Sequence, residues 1–273
     1  MYCLIVILPM FISFYYSTLE WDGIGTQEFI GFKNYIKLFT DYSFLKSVIN
    51  SFILTILTLL IQLPVALFLA IVLANGIKGE GFLRNVFFIP VTLSSVVIGL
   101  LWKRVYDPNF GLLNTILKFF GLSSLTRTWL GDTTIVLLAV CIPIIWQWVG
   151  YHMLIMYAGA KSIPAEIREA ATIDGANELQ VALKITIPLM KPVLKISFIL
   201  AVIGSLKTFD IVYILTNGGP VHASEVPSTL MVSTIFKRYM YGYGSAMAIF
   251  IVLECLILTL VIQKYFKVQD ITY

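Results

Sequence analysis

The chain has 273 residues; 59% are apolar and only 12% charged, where an ordinary soluble domain carries about 25% charged residues. A mean hydropathy of +0.90 leaves too little polar side chain to cover a soluble core of this size, and it excludes a disordered chain, a collagen and a disulfide scaffold. The net charge of +4 is too mild to suggest a nucleic-acid partner. What remains is a protein that crosses a membrane several times.

A helix needs roughly 20 apolar residues to cross about 30 Å of hydrocarbon. Residues 1–19 carry no charge and predict a first span, in which Pro9 is tolerable. They do not read as a signal peptide, because no basic start precedes the run and no small-residue cleavage site follows it. The cytosolic lead into this span is expected to be missing or very short. Residues 20–47 follow, with Trp21, Phe32, Tyr35, Phe39 and Phe44 marking an interfacial segment. Further spans are predicted at about 48–75 and 85–102, then an amphipathic stretch at 103–132, then a span at 134–160. The fifth, about 193–216, is interrupted by Lys207 and Asp210. After another interfacial stretch, 217–243, the sixth spans about 244–263 and contains Glu254. The runs are continuous rather than alternating, so the expectation is an all-α membrane protein of six helices, not a barrel. It forms one transmembrane domain over 1–273, with both termini on one side. Basic residues balance across the two sides; their higher density on the terminal side gives slight support for cytoplasmic termini. Cys3, Cys141 and Cys255 lie in apolar runs and suit small hydrophobes rather than disulfides. His152 and His222 are too far apart in sequence to suggest zinc.

The segment 161–192 is the informative one. Pro164 suits a helix start, and Glu166 and Glu169 complement the dipole of the first turns. Ala171 and Gly175 are four apart and would share a smooth helix face, while Asp174-Gly175 signals a bend before a second helix. Two readings fit: a docking element for another protein, or an amphipathic loop lying on the membrane.

Glu169-Ala170-Ala171, three residues, Gly175, nine residues, then Ile185-x-Ile187-Pro188 resembles the EAA motif of ABC importer permeases, with Ile187 in place of the usual Leu. Phe209-Asp210-Ile-Val-Tyr-Ile-Leu-Thr216-Asn-Gly-Gly-Pro220 resembles the signature of the carbohydrate permeases. Gly31-Phe-Lys-Asn-Tyr35, the stretch Asp41 to Asn50, and Gly111-Leu-Leu-Asn114 resemble the same subfamily. The resemblance covers nearly the whole chain. It implies a MetI-like permease core of the type I importers, similar to the maltose and glycerol-3-phosphate permeases, in a bacterial or archaeal plasma membrane. It implies that 161–192 is cytosolic and carries a coupling helix, with Glu169, Ala170, Ala171, Asp174 and Gly175 seated against an ATPase subunit. The implied partners are a second permease, which favours a heterodimer, two ABC ATPase subunits, an extracytoplasmic solute-binding protein, the lipid bilayer and a sugar. ATP and magnesium would be held by the ATPase subunits. No G-x4-G-K-[ST], G-x-S-x-G or H-E-x-x-H occurs in this chain, so no cofactor, metal or catalytic residue is expected in it.

The resemblance places a candidate substrate path at Gln147, Trp148 and Tyr151 on span four, and at Ser205 and Thr208 on span five, alongside Ala201 and Gly204; Lys207 and Asp210 join it because a charge within a span usually faces a cavity or a partner. Each aromatic there could equally be a packing or interfacial residue. Lys207 and Asp210, three apart, would be neighbours on one helix face; they could pair with each other or line the path, where Lys207 would favour an acidic sugar. Glu254 could pair with the partner permease or with Lys207. A rival reading is a secondary transporter driven by an ion gradient, with Lys207, Asp210 and Glu254 as its relay. An intramembrane enzyme ranks last, for want of a catalytic constellation.

Overall fold

A computed structural model describes residues 3–266; Met1, Tyr2 and residues 267–273, which include the ends of the expected domain, lie outside the described residues. The first helix is a π turn, Cys3–Ile7, running into α1 (Leu8–Ser17). A two-residue antiparallel pairing follows, β1 (Leu19–Glu20) with β2 (Glu28–Phe29), in register Leu19 to Phe29. Next come α2 (Lys33–Leu38) and α3 (Tyr42–Leu57), which passes through a π stretch at Thr58–Gln62 into α4 (Leu63–Ala74). Then follow α5 (Glu80–Thr92), α6 (Ser95–Val105), α7 (Leu112–Phe119) and the long α8 (Val136–Lys161). The remainder comprises α9 (Ala165–Ile173), α10 (Glu178–Val181), α11 (Ile187–Leu189), α12 (Lys191–Leu206), α13 (Asp210–Leu215), α14 (Pro227–Phe236) and α15 (Tyr241–Tyr265).

Among the described residues four helical stretches are long and apolar enough to cross a membrane: Tyr42–Ala74, Val136–Lys161, Lys191–Leu215, which is interrupted between Leu206 and Asp210, and Tyr241–Tyr265. They fall on the expected second, fourth, fifth and sixth windows. The third window is a broken pair, α5 and α6, parted where Leu93 takes extended backbone (φ −80°, ψ 144°) just after Pro90. The helix runs on through Pro90 to Thr92, so the break is set by the extended backbone at Leu93 rather than by the missing proline N–H, which affects the turn before it. The N-terminal helix is apolar but shorter than a full span.

The chain divides into two compact units. One holds the residues up to Thr55, Ser95–Pro143 and Gly204–Leu258; the other holds Ile56–Ser94, Ile144–Ile203 and the residues from Thr259. Helices α3, α8, α12 and α15 contribute to both.

In the second unit, α4 presents Leu63, Ala66, Ala70 and Leu73 at helical spacing to Met153, Met156 and Ala160 of α8. Small alanines let the backbones approach, the usual basis of packing where lipid is as apolar as the side chains. Gly150 carries this further: a Cβ there would lie 1.9 Å from the Phe87 carbonyl oxygen on α5, so no other residue fits without moving a backbone.

In the first unit, Leu38, Phe44, Leu230, Tyr243, Ala246 and Met247 form the core, and buried polar groups pin the loops. Asp41 Oδ1 accepts from Ser43 N (2.9 Å) at the start of α3, and its Oδ2 accepts from the Tyr243 hydroxyl (2.8 Å). Asn50 donates to the Glu225 carbonyl (2.8 Å) and the His222 carbonyl (3.2 Å). The loop after α7 turns on Asn114, 3% exposed. Its amide donates to the carbonyls of Pro108 (3.1 Å) and Arg127 (3.0 Å), and its oxygen accepts from Arg127 N (3.3 Å) and Trp129 Nε1 (2.8 Å). Replacing it leaves several buried partners unmet, at about 1–3 kcal/mol for each group orphaned. Asn114→Ala should therefore loosen residues 108–129 first: hydrogen exchange in that stretch rises by at least tenfold while α8 stays protected.

Candidate functional site

The segment between α8 and α12 belongs wholly to the second unit, and its entry is fixed by polar contacts at the foot of α8. The Tyr157 hydroxyl donates to Glu80 Oε1, and Lys161 Nζ lies 3.5 Å from Glu80 Oε2. Arg84 and Lys161 sit over the Tyr157 ring, 5.4 and 5.7 Å from its centre. Tyr157 and Lys161 are four apart on α8, and Glu80 and Arg84 four apart on α5, so each pair shares a helix face. That spacing is a signal in the sequence which motif reading passes over. Buried Ile163 then plugs the chain into the α4–α8 core.

Pro164 caps α9 with φ −52° and ψ 136°, one position before the helix proper. Glu166, Ala170 and Ile173 take its outward face, and Ile173 is 86% exposed. Ala171 is half-buried on the other side. The helix ends in a paired closure: Gly175 N donates to Thr172 O (3.0 Å) and Ala176 N donates to Ala171 O (2.9 Å). This is the Schellman arrangement, which requires a left-handed residue just past the cap. Gly175 supplies it, at φ +85°. The expected face shared by Ala171 and Gly175 is therefore not present. Gly175 lies beyond the helix, with no atom of the described residues within 4 Å of where a Cβ would stand, and serves the turn.

The second helix starts at Asn177, whose side chain accepts from Gln180 N while the Gln180 side chain accepts from Asn177 N, both at 2.9 Å. This reciprocal capping box holds α10 in place despite its length. Leu179 and Leu183 are exposed on the outside. Between this hairpin and the end of α4 lies an open cleft of about 690 Å³; Asn75, Lys161, Arg168, Glu169, Thr172 and Ile173 are among the residues lining it. The arrangement is an exposed helical hairpin with apolar Ile173 and Leu179 near its tip and mixed charge behind it.

The other predicted residues divide between the units, and each group is described by itself. In the second unit Gln147 is buried, while Trp148 and Tyr151 form an edge-to-face pair 5.9 Å apart, with Trp148 40% exposed. His152 next to them is buried and bonded to Ser197 at 2.7 Å. In the first unit Ser205 is buried and Thr208 half-buried. Lys207 and Asp210 are exposed but not on one continuous helix face, because α12 ends at Leu206 and α13 begins at Asp210. No ion pair joins them among the described residues. Glu254 is 8% exposed, and neither of its carboxylate oxygens has a hydrogen-bond partner among the described residues.

The carbohydrate-type signature has its own geometry. Phe209 and Tyr213 stack at 5.1 Å. Thr216 Oγ1 meets Ser224 Oγ at 2.7 Å, and Ser224 Oγ donates to the Gly219 carbonyl at 2.6 Å. Gly218 packs where a side chain would strike the Glu225 carboxylate. Glu225 in turn accepts from Thr229 (2.7 Å) and lies 2.8 Å from His222 Nδ1. The residues of the motif thus close a compact turn after α13.

Residues 43–268 match the family described as the inner membrane component of binding-protein-dependent transport systems. The chain belongs to this family. It is 38% identical over 269 residues to a probable ABC transporter permease protein, YurN, of Bacillus subtilis, covering 97% of this chain and 92% of the relative. It is 32% identical over 260 residues to the trehalose/maltose transport system permease protein MalF of Thermococcus litoralis, covering 95% and 87%. It also shares a fold with a chain in the crystal structure of a bacterial ABC transporter that imports the acidic polysaccharide alginate: TM-score 0.84, 22% identity, covering 97% and 90%. This inner membrane component is therefore a transport permease chain, mostly helical, with the MetI-like fold.

In it, Gly175→Ala should cost about 1 kcal/mol by forcing a Cβ into left-handed backbone. The amides of Gly175 and Ala176 should exchange about fivefold faster, with no change in the α4–α8 core; unchanged exchange at these two amides would contradict the cap.

Proposed function

We propose that the chain is the permease subunit of an ATP-driven importer for a sugar or oligosaccharide, coupled to its ATPases through the α9–α10 hairpin. The observation that carries this reading is the exposed hairpin with Glu169, Ala170 and Ala171 before a bend at Gly175, in a chain of the binding-protein-dependent transport family. Similarity to a relative named for trehalose and maltose transport supports a carbohydrate cargo.

In this reading two ATPase subunits hold ATP and magnesium and move the hairpin as a rigid lever when they close. Ile173 and Leu179 give the lever an apolar contact, and the Glu80–Tyr157–Lys161 cluster transmits its movement to α5 and α8. A second permease, in a heterodimer, completes the path, and an extracytoplasmic solute-binding protein delivers the sugar. The hairpin and both termini face the cytoplasm of a bacterial or archaeal cell. The substrate path is lined from α8 by Gln147, Trp148 and Tyr151, and from α12–α13 by Ser205, Lys207, Thr208 and Asp210. A gradient-driven relay has less behind it, since no hydrogen bond or ion pair joins Lys207, Asp210 and Glu254 among the described residues.

Two experiments test this. In the reconstituted complex, Gly175→Asp or Ile173→Asp should lower ATP-dependent uptake at least tenfold while the permease still inserts; wild-type uptake in both would refute hairpin coupling. Lys207→Gln should lower uptake severalfold while ATPase binding is kept, with acidic sugars affected more than neutral ones. Equal, unchanged transport of both classes would remove Lys207 from the path.

A further inference from the structure

Helix α7 turns much of its apolar side outward, with Leu113 and Leu117 only half-buried. The residue it buries is polar: Asn114, held by four hydrogen bonds into the loop. Among the residues it exposes is an apolar stripe, Leu112, Ile116 and Phe119, at helical spacing and 58%, 43% and 84% exposed, with exposed Thr115 and Lys118 along one side. Phe110 and Phe120 extend the patch at either end. In water such a stripe would invite association. Beside a bilayer it is the arrangement of a helix lying in the interface plane.

Two observations say what covers it. The first is continuity with an exposed apolar surface on a chain of a membrane-transport family. Helix α6 ends at Val105, and Val96, Val97, Leu100 and Leu101 along it are exposed, so the apolar stripe of α7 continues an exposed apolar surface. Only Tyr106 to Gly111 separate α6 from α7, and that link is folded tight: Gly111 N donates to Asp107 O (3.0 Å), and Asp107 Oδ1 accepts from Phe110 N and Asn109 N, each at 2.9 Å. These backbone donors hold the Asp107 carboxyl below its ordinary range. Even fully extended, six residues reach only about 20 Å, so α7 stays close to the end of α6. The second is charge. Lys103 and Arg104 close α6, and Lys118 lies on the flank of α7, with Thr115 beside the apolar stripe. Basic side chains at that level suit lipid phosphates, with their stems in the apolar layer.

We propose that α7 is a membrane-interface anchor, with Leu112, Ile116 and Phe119 set into the boundary between phospholipid headgroups and acyl chains, and Asn114 as the pin that fixes which face turns to lipid. It keeps the α6–α8 connection on the bilayer surface, whatever the cargo.

The test uses the full complex in phospholipid nanodiscs. Nitroxides are placed at Ile116→Cys, Phe119→Cys, Thr115→Cys and Lys118→Cys, with Cys3, Cys141 and Cys255 replaced. Collision rates with oxygen, which partitions into lipid, are compared with those of a water-soluble nickel chelate. The expected result is an oxygen-to-nickel ratio severalfold higher at 116 and 119 than at 115 and 118. High nickel accessibility at 116 and 119 would mean water covers the stripe, and low accessibility to both reagents would mean a protein partner covers it; either overturns the proposal. Should the cysteine-free background fail to assemble, Phe119→Trp in the native background serves. Brominated phosphatidylcholine should then quench a larger share of the fluorescence than in the parent protein, and an unchanged share would overturn the proposal.

Discussion

A backbone group left unpaired in hydrocarbon costs several kcal/mol, and most of this structure follows from that. It makes the long spans helical, and it governs how a span can be interrupted. Where α12 stops at Leu206, Thr208 N turns back to Ser205 O (3.2 Å), its hydroxyl donates to Gly204 O (3.0 Å), and Ser228 donates to the Thr208 carbonyl. Hydroxyls therefore take over from the helical ladder at the break. A break serviced this way places Lys207 and Asp210 at the surface of a span that would otherwise be uniformly apolar, which is where a polar solute could be met.

The same constraint shapes the loops. Few of the residues that hold them are large or apolar; Asn50, Asn114, Asp41 and Ser224 each satisfy backbone groups that no regular element would satisfy. Rigid connections on apolar spans let the exposed pieces act as units. The α9–α10 hairpin, closed by a left-handed glycine at one end and a reciprocal Asn–Gln cap at the other, can move as one body.

Much of the fold is legible in the sequence because a charge-free run of span length fits little besides a membrane helix. The windows at 48–75, 134–160, 193–216 and 244–263 each hold an apolar helical stretch of span length. The window at 85–102 shows the limit: its composition is that of a span, but the extended Leu93 divides it, and hydropathy does not register backbone geometry. The bend at Asp174-Gly175 is readable from the dipeptide, whereas the role of Gly175 is not, because a glycine four residues from an alanine looks alike as a helix face or as a cap until the φ angle is known. The Glu80–Tyr157 contact joins residues 77 positions apart, and local patterns carry no information at that range. Placing Lys207 and Asp210 on one face requires an unbroken helix between them, and the chain breaks there.

Coupling to partner subunits that burn ATP is what separates this mode of transport from a gradient-driven carrier. Mild-detergent purification of the tagged protein from its native membrane decides between them, with mass spectrometry of the complex and uptake assayed with and without ATP. Two copies of a P-loop ATPase, a second permease of similar fold, and uptake that stops when ATP is removed are the expected result. A lone chain or homo-oligomer whose uptake survives ATP depletion would contradict it.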